Sequence, residues 1–273
     1  MIFLAILLGT LTAGIGSVWV AAWLSYGVMS RYTQHMLSLA AGALLATSFM
    51  HLLPEAFESA VTPHDLFLTL LLGLVFFFLL DKAELWHHGH EHGAAHGHME
   101  SAHLEHAHEG HQHHGHDHAA PTAGGWAVLA GDSVHCFGDG ILIASAFMAD
   151  LRLGAIAALA VLAHEVPHHM GDLAVLRQGQ GQAHKQVAVL KVSLAGAVTA
   201  LGGAVGFVLV ESLRAALPYF LVVASSSFIY VALADLIPQL QKRLSARETA
   251  AQIAWLAVGI GMVTLVSLLT HSH

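Results

Sequence analysis

The sequence predicts an all-α integral membrane protein that crosses the bilayer with eight transmembrane helices. The chain is 56% hydrophobic and only 10% charged, and its mean hydropathy is +0.65. Apolar stretches of about 20 residues recur along it, and at 1.5 Å per residue each matches a hydrocarbon core of about 30 Å. Soluble domains carry about a quarter charged residues, so a soluble fold is excluded.

The composition also narrows the function. The chain has 10 Lys and Arg residues in 273, and this excludes a basic face for nucleic acid. Its single cysteine, Cys136, excludes an intrachain disulfide. No soluble second domain is visible, so residues 1–273 are interpreted as one transmembrane domain.

Spans one to three are predicted at residues 2–23, 34–57 and 66–85. A signal peptide begins with a basic region, but no Lys or Arg precedes Arg31, so we expect the first span to be retained. Residues 86–121 then change character, because they hold 14 of the 24 histidines and show no apolar periodicity. Such a segment cannot bury a core, and we expect a flexible histidine-rich loop.

Spans four to eight are predicted at residues 125–149, 151–176, 187–210, 217–240 and 250–270. Span six contains small residues at near helical spacing, which would let neighbouring helices approach closely. These residues are Ala195, Gly196, Ala200, Gly202 and Gly203.

The cationic residues predict the orientation of the chain. The links after spans one, three, five and seven hold Arg31, Lys82, Arg177, Lys185, Lys191, Lys242, Arg243 and Arg247. The opposite side holds only Arg152 and Arg214. By the positive-inside rule the histidine-rich loop is cytoplasmic and both termini lie outside, in a multi-pass protein of the cell (inner) membrane.

Spans four and five carry ionisable side chains at the same predicted depth. In span four, His135 and Asp139 are four residues apart and share one helical face, with Cys136 beside them. A charged residue at mid-bilayer costs roughly 2.5–3.5 kcal/mol on insertion scales, so such clusters indicate function.

Span five continues the pattern. His164 and His168 share a face, Glu165 lies one position round the helix, and Asp172 extends the stripe toward the cytoplasm. Imidazole and carboxylate groups on facing helices are typical ligands of Zn²⁺, and Fe²⁺, Mn²⁺, Co²⁺ or Cd²⁺ are chemically compatible. The sequence therefore predicts a metal site between spans four and five. The alternative is that these groups pair only with one another to fix helix packing.

Three motifs resemble the ZIP family of metal-ion transporters. The family's fourth-span pattern, Asp-x-x-His-Asn-Phe-x-Asp-Gly, is similar to residues 132–140, DSVHCFGDG. Its fifth-span pattern, His-Glu-x-Pro-His-Glu-x-Gly-Asp, is similar to residues 164–172, HEVPHHMGD. Its second-span His-x-x-Pro-Glu resembles the sequence around His51, Pro54 and Glu55.

The resemblance implies a transporter with a binuclear metal site and a homodimeric assembly. Its first metal position would take His135, Asp139, His164 and His168, and its second would draw on Cys136 and Glu165. Spans one, four, five and six would slide against spans two, three, seven and eight. Two residues depart from the family pattern: Cys136 stands for asparagine and His169 for glutamate, which bears on metal preference and on the second position.

Further polar residues are candidates for the metal path. His51 and Glu55 near the outer end of span two would form an outer gate, or an interfacial pair that meets water. Asp235 near the inner end of span seven is an exit ligand or a solvated helix end. Asp132 lines the exit or supports a ligand histidine. The histidine-rich loop captures metal, senses it, or only links spans three and four.

Residues 164–168 also match H-E-x-x-H, the pattern of zinc metalloproteases, in which the glutamate is the general base. That alternative predicts an intramembrane protease, but Pro167 within the pattern is awkward for a rigid catalytic turn. A cation diffusion facilitator also carries a histidine-rich loop, but that family has about six spans and cytoplasmic termini. A metal sensor or storage protein would explain the loop but not the charged residues across the bilayer. The sequence therefore predicts a non-enzymatic transporter that moves a divalent metal, most simply zinc, into the cytoplasm.

Overall fold

A computed structural model describes residues 1–25, 33–92, 123–176, 182–240 and 245–271. Most of these residues are helical, and the described ranges contain no β-strand. They form eight helical segments, numbered in chain order: 2–25, 33–57, 63–92, 123–149, 151–176, 182–212, 214–240 and 246–271. Each predicted span falls within one segment.

Segments 1, 2 and 7 each contain a wider π-helical turn. Segment 1 comprises Ile2–Leu11, the π turn Thr12–Gly16 and Ser17–Ser25. Segment 2 comprises Thr33–Thr47, the π turn Ser48–Leu52 and Leu53–Phe57. Segment 7 comprises the 3₁₀ turn Arg214–Ala216, Leu217–Tyr230, the π turn Val231–Leu236 and Ile237–Leu240.

The remaining segments are uninterrupted α-helices. They are Pro63–His92, Ala123–Ala149, Leu151–Leu176, Gln182–Ser212 and Ala246–His271. The helix Leu151–Leu176 continues through Pro167. Segment 3 runs to His92, seven residues into the predicted loop, because intrahelical backbone hydrogen bonds propagate a helix that has already formed beyond its apolar part. The rest of that loop, residues 93–121, lies outside the described residues.

Six segments of the described chain contain a helix long and apolar enough to cross a membrane. These are segments 1, 2, 3, 6, 7 and 8. Segments 4 and 5 are of similar length but carry the ionisable clusters, which lower their mean hydropathy. Many apolar side chains on the outer surface are exposed, including Leu71 and Phe76 of segment 3 and Leu194 and Leu201 of segment 6. Such surfaces suit lipid contact.

The segments pack into two groups. Segments 1, 4, 5 and 6 contact one another extensively, and segments 2, 3, 7 and 8 form the other group. The groups meet chiefly where segment 5 packs on segment 2 and segment 4 on segment 7. A buried apolar cluster, which includes Leu44, Ile143, Val161 and Phe228, fills part of the space between them.

Glycines bring segments 4 and 6 into backbone contact, as the small residues of span six predict. A Cβ on Gly202 would meet the backbone carbonyl of Phe137, and one on Gly140 would meet the carbonyl of Thr199. These contacts fix the distance of Phe137 and Gly140 from segment 6. They therefore also fix the position of the polar residues that lie near them on segment 4.

Candidate metal centre

Segments 4 and 5 place their ionisable side chains against one another through repeated spacings of four residues. Segment 4 pairs Asp132 with Cys136 and His135 with Asp139, and segment 5 extends this with two interleaved rows. One row is His164, His168 and Asp172, and the other is Glu165 and His169. Residues four apart stack on one helical face, so each helix presents two polar rows to its neighbour.

The first group, which we call the central cluster, consists of His135, Asp139, His164 and Glu165. The Nε2 atoms of His135 and His164 are 3.4 Å apart. His164 Nε2 lies 3.3 Å from Asp139 Oδ2 and 3.4 Å from Glu165 Oε1. His135 Nε2 lies 3.4 Å from the same Glu165 oxygen and 3.8 Å from Asp139 Oδ2. Two imidazole nitrogens and two carboxylate oxygens therefore surround one point.

His168 is placed elsewhere, although the family resemblance implies it in the first position. Its Nε2 lies 3.8 Å from Asp132 Oδ1 and 3.9 Å from Asp172 Oδ2. Asp132, His168 and Asp172 form a second group, the cavity cluster. His168 is one helical turn beyond His164, about 6 Å along the axis, and Glu165 occupies the fourth corner of the central cluster instead. The ring of His168 still stacks on His135 at a centroid distance of 5.5 Å.

A third group, the cysteine cluster, consists of Asp132, Cys136, Glu165 and His169, all of them buried. His169 Nε2 lies 3.1 Å from Glu165 Oε2 and 3.6 Å from Asp132 Oδ1. The thiol of Cys136 lies 3.7 Å from the same Asp132 oxygen. This group contains both residues that depart from the family pattern.

Two carboxylates connect the three groups. Glu165 directs Oε1 toward the central cluster and Oε2 toward His169 of the cysteine cluster. Asp132 Oδ1 faces both His168 and His169, and so belongs to the cavity cluster and the cysteine cluster together. A charge change in one cluster is therefore felt in the next.

Several acceptor atoms in these groups are buried without a hydrogen bond within the described ranges. They are one oxygen each of Asp132, Asp139 and Asp172 and both oxygens of Glu165. Buried carboxylates need a compensating charge, which a divalent cation supplies directly. The chemistry of the donor set thus fits a transition metal.

A cavity of about 390 Å³ opens beside the clusters. The central and cavity clusters line it through His135, Asp139, His164, His168 and Asp172. Its opposite wall is formed by Leu37 of segment 2, Phe77 and Leu80 of segment 3, and Ser227 and Tyr230 of segment 7. The two groups of packed segments face each other across this space.

Of the other residues predicted to lie on the metal path, Asp235 lines the cavity and His51 and Glu55 do not. Asp235 lines the cavity, where Gln239 Nε2 donates a 2.8 Å hydrogen bond to its Oδ1. His51 is half-buried in the π turn of segment 2, and Glu55 is exposed one turn later. Neither His51 nor Glu55 is a member of the three clusters or lines the cavity.

The sequence did not predict one residue that contacts the clusters. Ser17 of segment 1 is fully buried, and its Oγ lies 3.0 Å from Nδ1 of His169. A serine in an apolar first span has no distinguishing pattern, so only the packing of segment 1 against segment 5 identifies it.

Comparison with known families decides the classification. A family model described as ZIP Zinc transporter matches residues 1–267. The chain belongs to the ZIP zinc transporter family. This confirms the resemblance inferred from the three motifs, and it gives no support to the metalloprotease alternative, because members of this family are transporters.

Individual relatives agree with the family assignment. The chain is 26% identical over 288 residues to Zinc transporter ZIP13 of Pongo abelii, covering 96% of this chain and 77% of the relative. It is 28% identical over 286 residues to human Zinc transporter ZIP4, covering 87% and 42%. With human Zinc transporter ZIP6 it shares 32% identity over 153 residues, covering 54% of this chain and 20% of the relative. The chain thus spans about a fifth of the length of ZIP6.

Proposed function

We propose that the protein carries divalent transition-metal ions, principally zinc, through the membrane into the cytoplasm, and that the central cluster is its transport site. The observation that carries this proposal is the combination of a four-donor cluster with an adjoining cavity. The names of its relatives, all zinc transporters, support the choice of metal.

The donor spacing of the central cluster suits a tetrahedral ion. Zn²⁺ takes nitrogen and oxygen ligands at about 2.0–2.2 Å, so tetrahedral donors lie roughly 3.3–3.6 Å from one another. The Nε2 atoms of His135 and His164 lie between 3.3 and 3.8 Å from each other and from the facing oxygens of Asp139 and Glu165. Two neutral imidazoles and two carboxylates also neutralise a divalent charge. A small inward adjustment of the side chains would complete the coordination.

The cavity supplies the onward route. In the predicted orientation, Leu80, Asp235 and Gln239 lie near the cytoplasmic ends of segments 3 and 7, so the cavity leads from the central cluster toward the cytoplasm. The cavity cluster, one helical turn further on, would receive the ion next, and Asp235 would meet it nearer the exit. The buried apolar cluster around Ile143 and Phe228 closes the other direction, which corresponds to an inward-facing arrangement.

The membrane placement follows from the same elements. Segments 4 and 5 would cross the bilayer as spans four and five because their polar rows are turned toward each other and the cavity, away from lipid. The chain would then have eight spans, outward termini and a cytoplasmic histidine-rich loop. The two groups of packed segments would be the moving units of alternating access, in a homodimer. A second metal position would draw on Cys136 and Glu165.

Zinc uptake by proteoliposomes tests the proposal. The purified chain would be reconstituted into vesicles that contain a zinc-sensitive dye, and zinc added outside should raise the fluorescence well above that of protein-free vesicles. A rise that is blocked by a chelator outside, and that is absent for vesicles without protein, supports transport. Tight zinc binding by the protein without any flux in either direction would contradict it.

The protease alternative predicts a different response at Glu165. A protease that loses its general base keeps its zinc and loses peptide hydrolysis. A transporter with Glu165 as a ligand loses metal affinity and flux in Glu165→Gln. Measurement of bound zinc in this variant separates the two functions.

A further inference from the structure

Gly138 of segment 4 lies where the central cluster meets the cavity. It comes three residues after His135, so the two are neighbours on the helix surface, and it directly precedes Asp139. Gly138, His135 and Asp139 all line the cavity. Because Gly138 has no side chain, the space beside these two donors stays open.

The usual structural reasons for a glycine inside a helix do not apply to Gly138. Segment 4 is an uninterrupted α-helix, and Gly138 does not adopt a left-handed backbone conformation. A Cβ on Gly138 would meet no atom of the described residues within 4 Å, whereas one on Gly140 would meet the carbonyl of Thr199. Packing therefore requires a glycine at position 140 but not at position 138. Alanine is the better helix former, so folding alone does not explain Gly138.

Water reaches the central cluster from the side on which Gly138 lies. Asp139, His164 and Glu165 are each at most 3% exposed. The side chain of His135 is 29% exposed, and its neighbour on the cavity wall is Gly138. The opening of the cluster toward the cavity is therefore bounded by His135 and Gly138.

The coordination chemistry of the central cluster gives this opening a use. Zinc sites that are closed by four protein ligands are structural sites, whereas sites that exchange ligands keep a position open to water and can become five-coordinate. The central cluster offers four protein donors, yet a transported ion has to leave it. Water must therefore approach the ion as a protein donor is released.

We propose that Gly138 sets the rate of ion release, because its missing side chain leaves the space in which water from the cavity reaches the central-cluster ion and replaces a protein donor. This inference rests on the transport function proposed above. Entry and release use the same opening, so a larger residue at position 138 slows both. The equilibrium affinity for zinc then stays nearly unchanged.

Zinc release from Gly138→Ala, Gly138→Val and Gly138→Leu tests the proposal. The full-length protein in detergent is loaded with zinc and mixed rapidly with an excess of a chromophoric chelator. The release phase that is missing in His164→Ala is assigned to the central cluster. Its rate should fall progressively with residue size, by about tenfold or more for leucine, while zinc affinity changes by less than about threefold. Zinc uptake by proteoliposomes should fall in the same order.

Two controls separate slower release from faulty folding. Gly138→Ala should unfold at the same temperature as the unmodified chain or higher, because alanine favours a helix and its Cβ has room. Gly261→Leu is the matched control. A Cβ on Gly261 would also meet nothing within 4 Å, but Gly261 does not line the cavity. This variant should release zinc at the unmodified rate.

Two results would overturn the proposal. One is release from Gly138→Leu at the unmodified rate. The other is a loss of zinc affinity in Gly138→Ala, because Gly138 would then be part of the packing of the cluster. Failure of the transport function is a separate result, in which the unmodified chain binds zinc but proteoliposomes take up none. Release in detergent would still measure the effect of residue size at position 138.

Discussion

Glu165→Gln is the most informative single change, because this carboxylate contacts two clusters at once. It removes the Oε1 charge that lies 3.4 Å from both His135 and His164. In the unmodified central cluster, two carboxylates neutralise a divalent ion, so the variant leaves one uncompensated positive charge in a buried site. The amide can still offer one oxygen, but it brings an NH₂ group that repels the cation.

The size of the effect follows from these losses. Changes to groups that merely support metal ligands cost 10–100-fold in affinity, and Glu165 is itself within ligand distance. We therefore expect zinc affinity at the central cluster to fall by at least about 100-fold, which corresponds to about 2.8 kcal/mol. Competition with a chromophoric zinc chelator in detergent measures this difference directly.

The control is Glu58→Gln, which makes the same chemical change at an exposed position outside the clusters. It should leave affinity unchanged within about twofold. Glu165→Asp keeps the charge and should recover part of the loss. An affinity in Glu165→Gln within about threefold of the unmodified chain would refute the assignment of Glu165 as a shared ligand.

Three further predictions test other parts of the account. His168→Ala should reduce zinc flux several-fold while the zinc affinity of the central cluster changes by less than about threefold, since His168 Nε2 faces Asp132 and Asp172. Equal losses of flux and affinity in paired assays would place His168 in the central cluster. Lowering the pH should weaken zinc binding at the central cluster, because protons then compete with the ion for its histidine and carboxylate ligands. A zinc affinity that is flat or rises as the pH falls contradicts this ligation. Gly202→Ala should lower stability by about 1–3 kcal/mol through its contact with the Phe137 carbonyl. Gly261→Ala is the control and should not lower stability, because a Cβ at Gly261 would meet nothing within 4 Å. Equal thermal unfolding temperatures of the two variants in detergent would refute the close-packing argument.

The helical segments were predictable because each is an apolar stretch of the right length, and the small residues of span six correctly predicted close packing. The ionisable rows were predictable from their four-residue spacing. This spacing paired His135 with Asp139 and His164 with His168, and the equal predicted depth of spans four and five put the two pairs opposite each other.

The finer assignment of residues was not accessible from spacing. A helical projection puts Glu165 off the His164 face, but its side chain is long enough to present one oxygen to each cluster. The contact between Ser17 and His169 depends on packing between distant segments, as does the joint use of Asp132 by two clusters. The sequence also suggested an outer gate at His51 and Glu55, which the clusters and the cavity do not include.

The continuation of segment 3 to His92 has a related cause. Composition identifies a segment that cannot bury a core, but backbone hydrogen bonds can extend a helix beyond its apolar part. The apolar composition of span three therefore predicted where the apolar stretch ends rather than where the helix ends.

The most direct test of the account is zinc uptake into dye-loaded proteoliposomes by the unmodified chain, His164→Ala and His64→Ala. His64 is an exposed histidine at the start of segment 3, far along the chain from the clusters, and its variant is the matched control. The account predicts flux for the unmodified chain and His64→Ala, and loss of flux for His164→Ala at equal reconstituted amounts. Undiminished flux in His164→Ala would contradict a transport path through the central cluster.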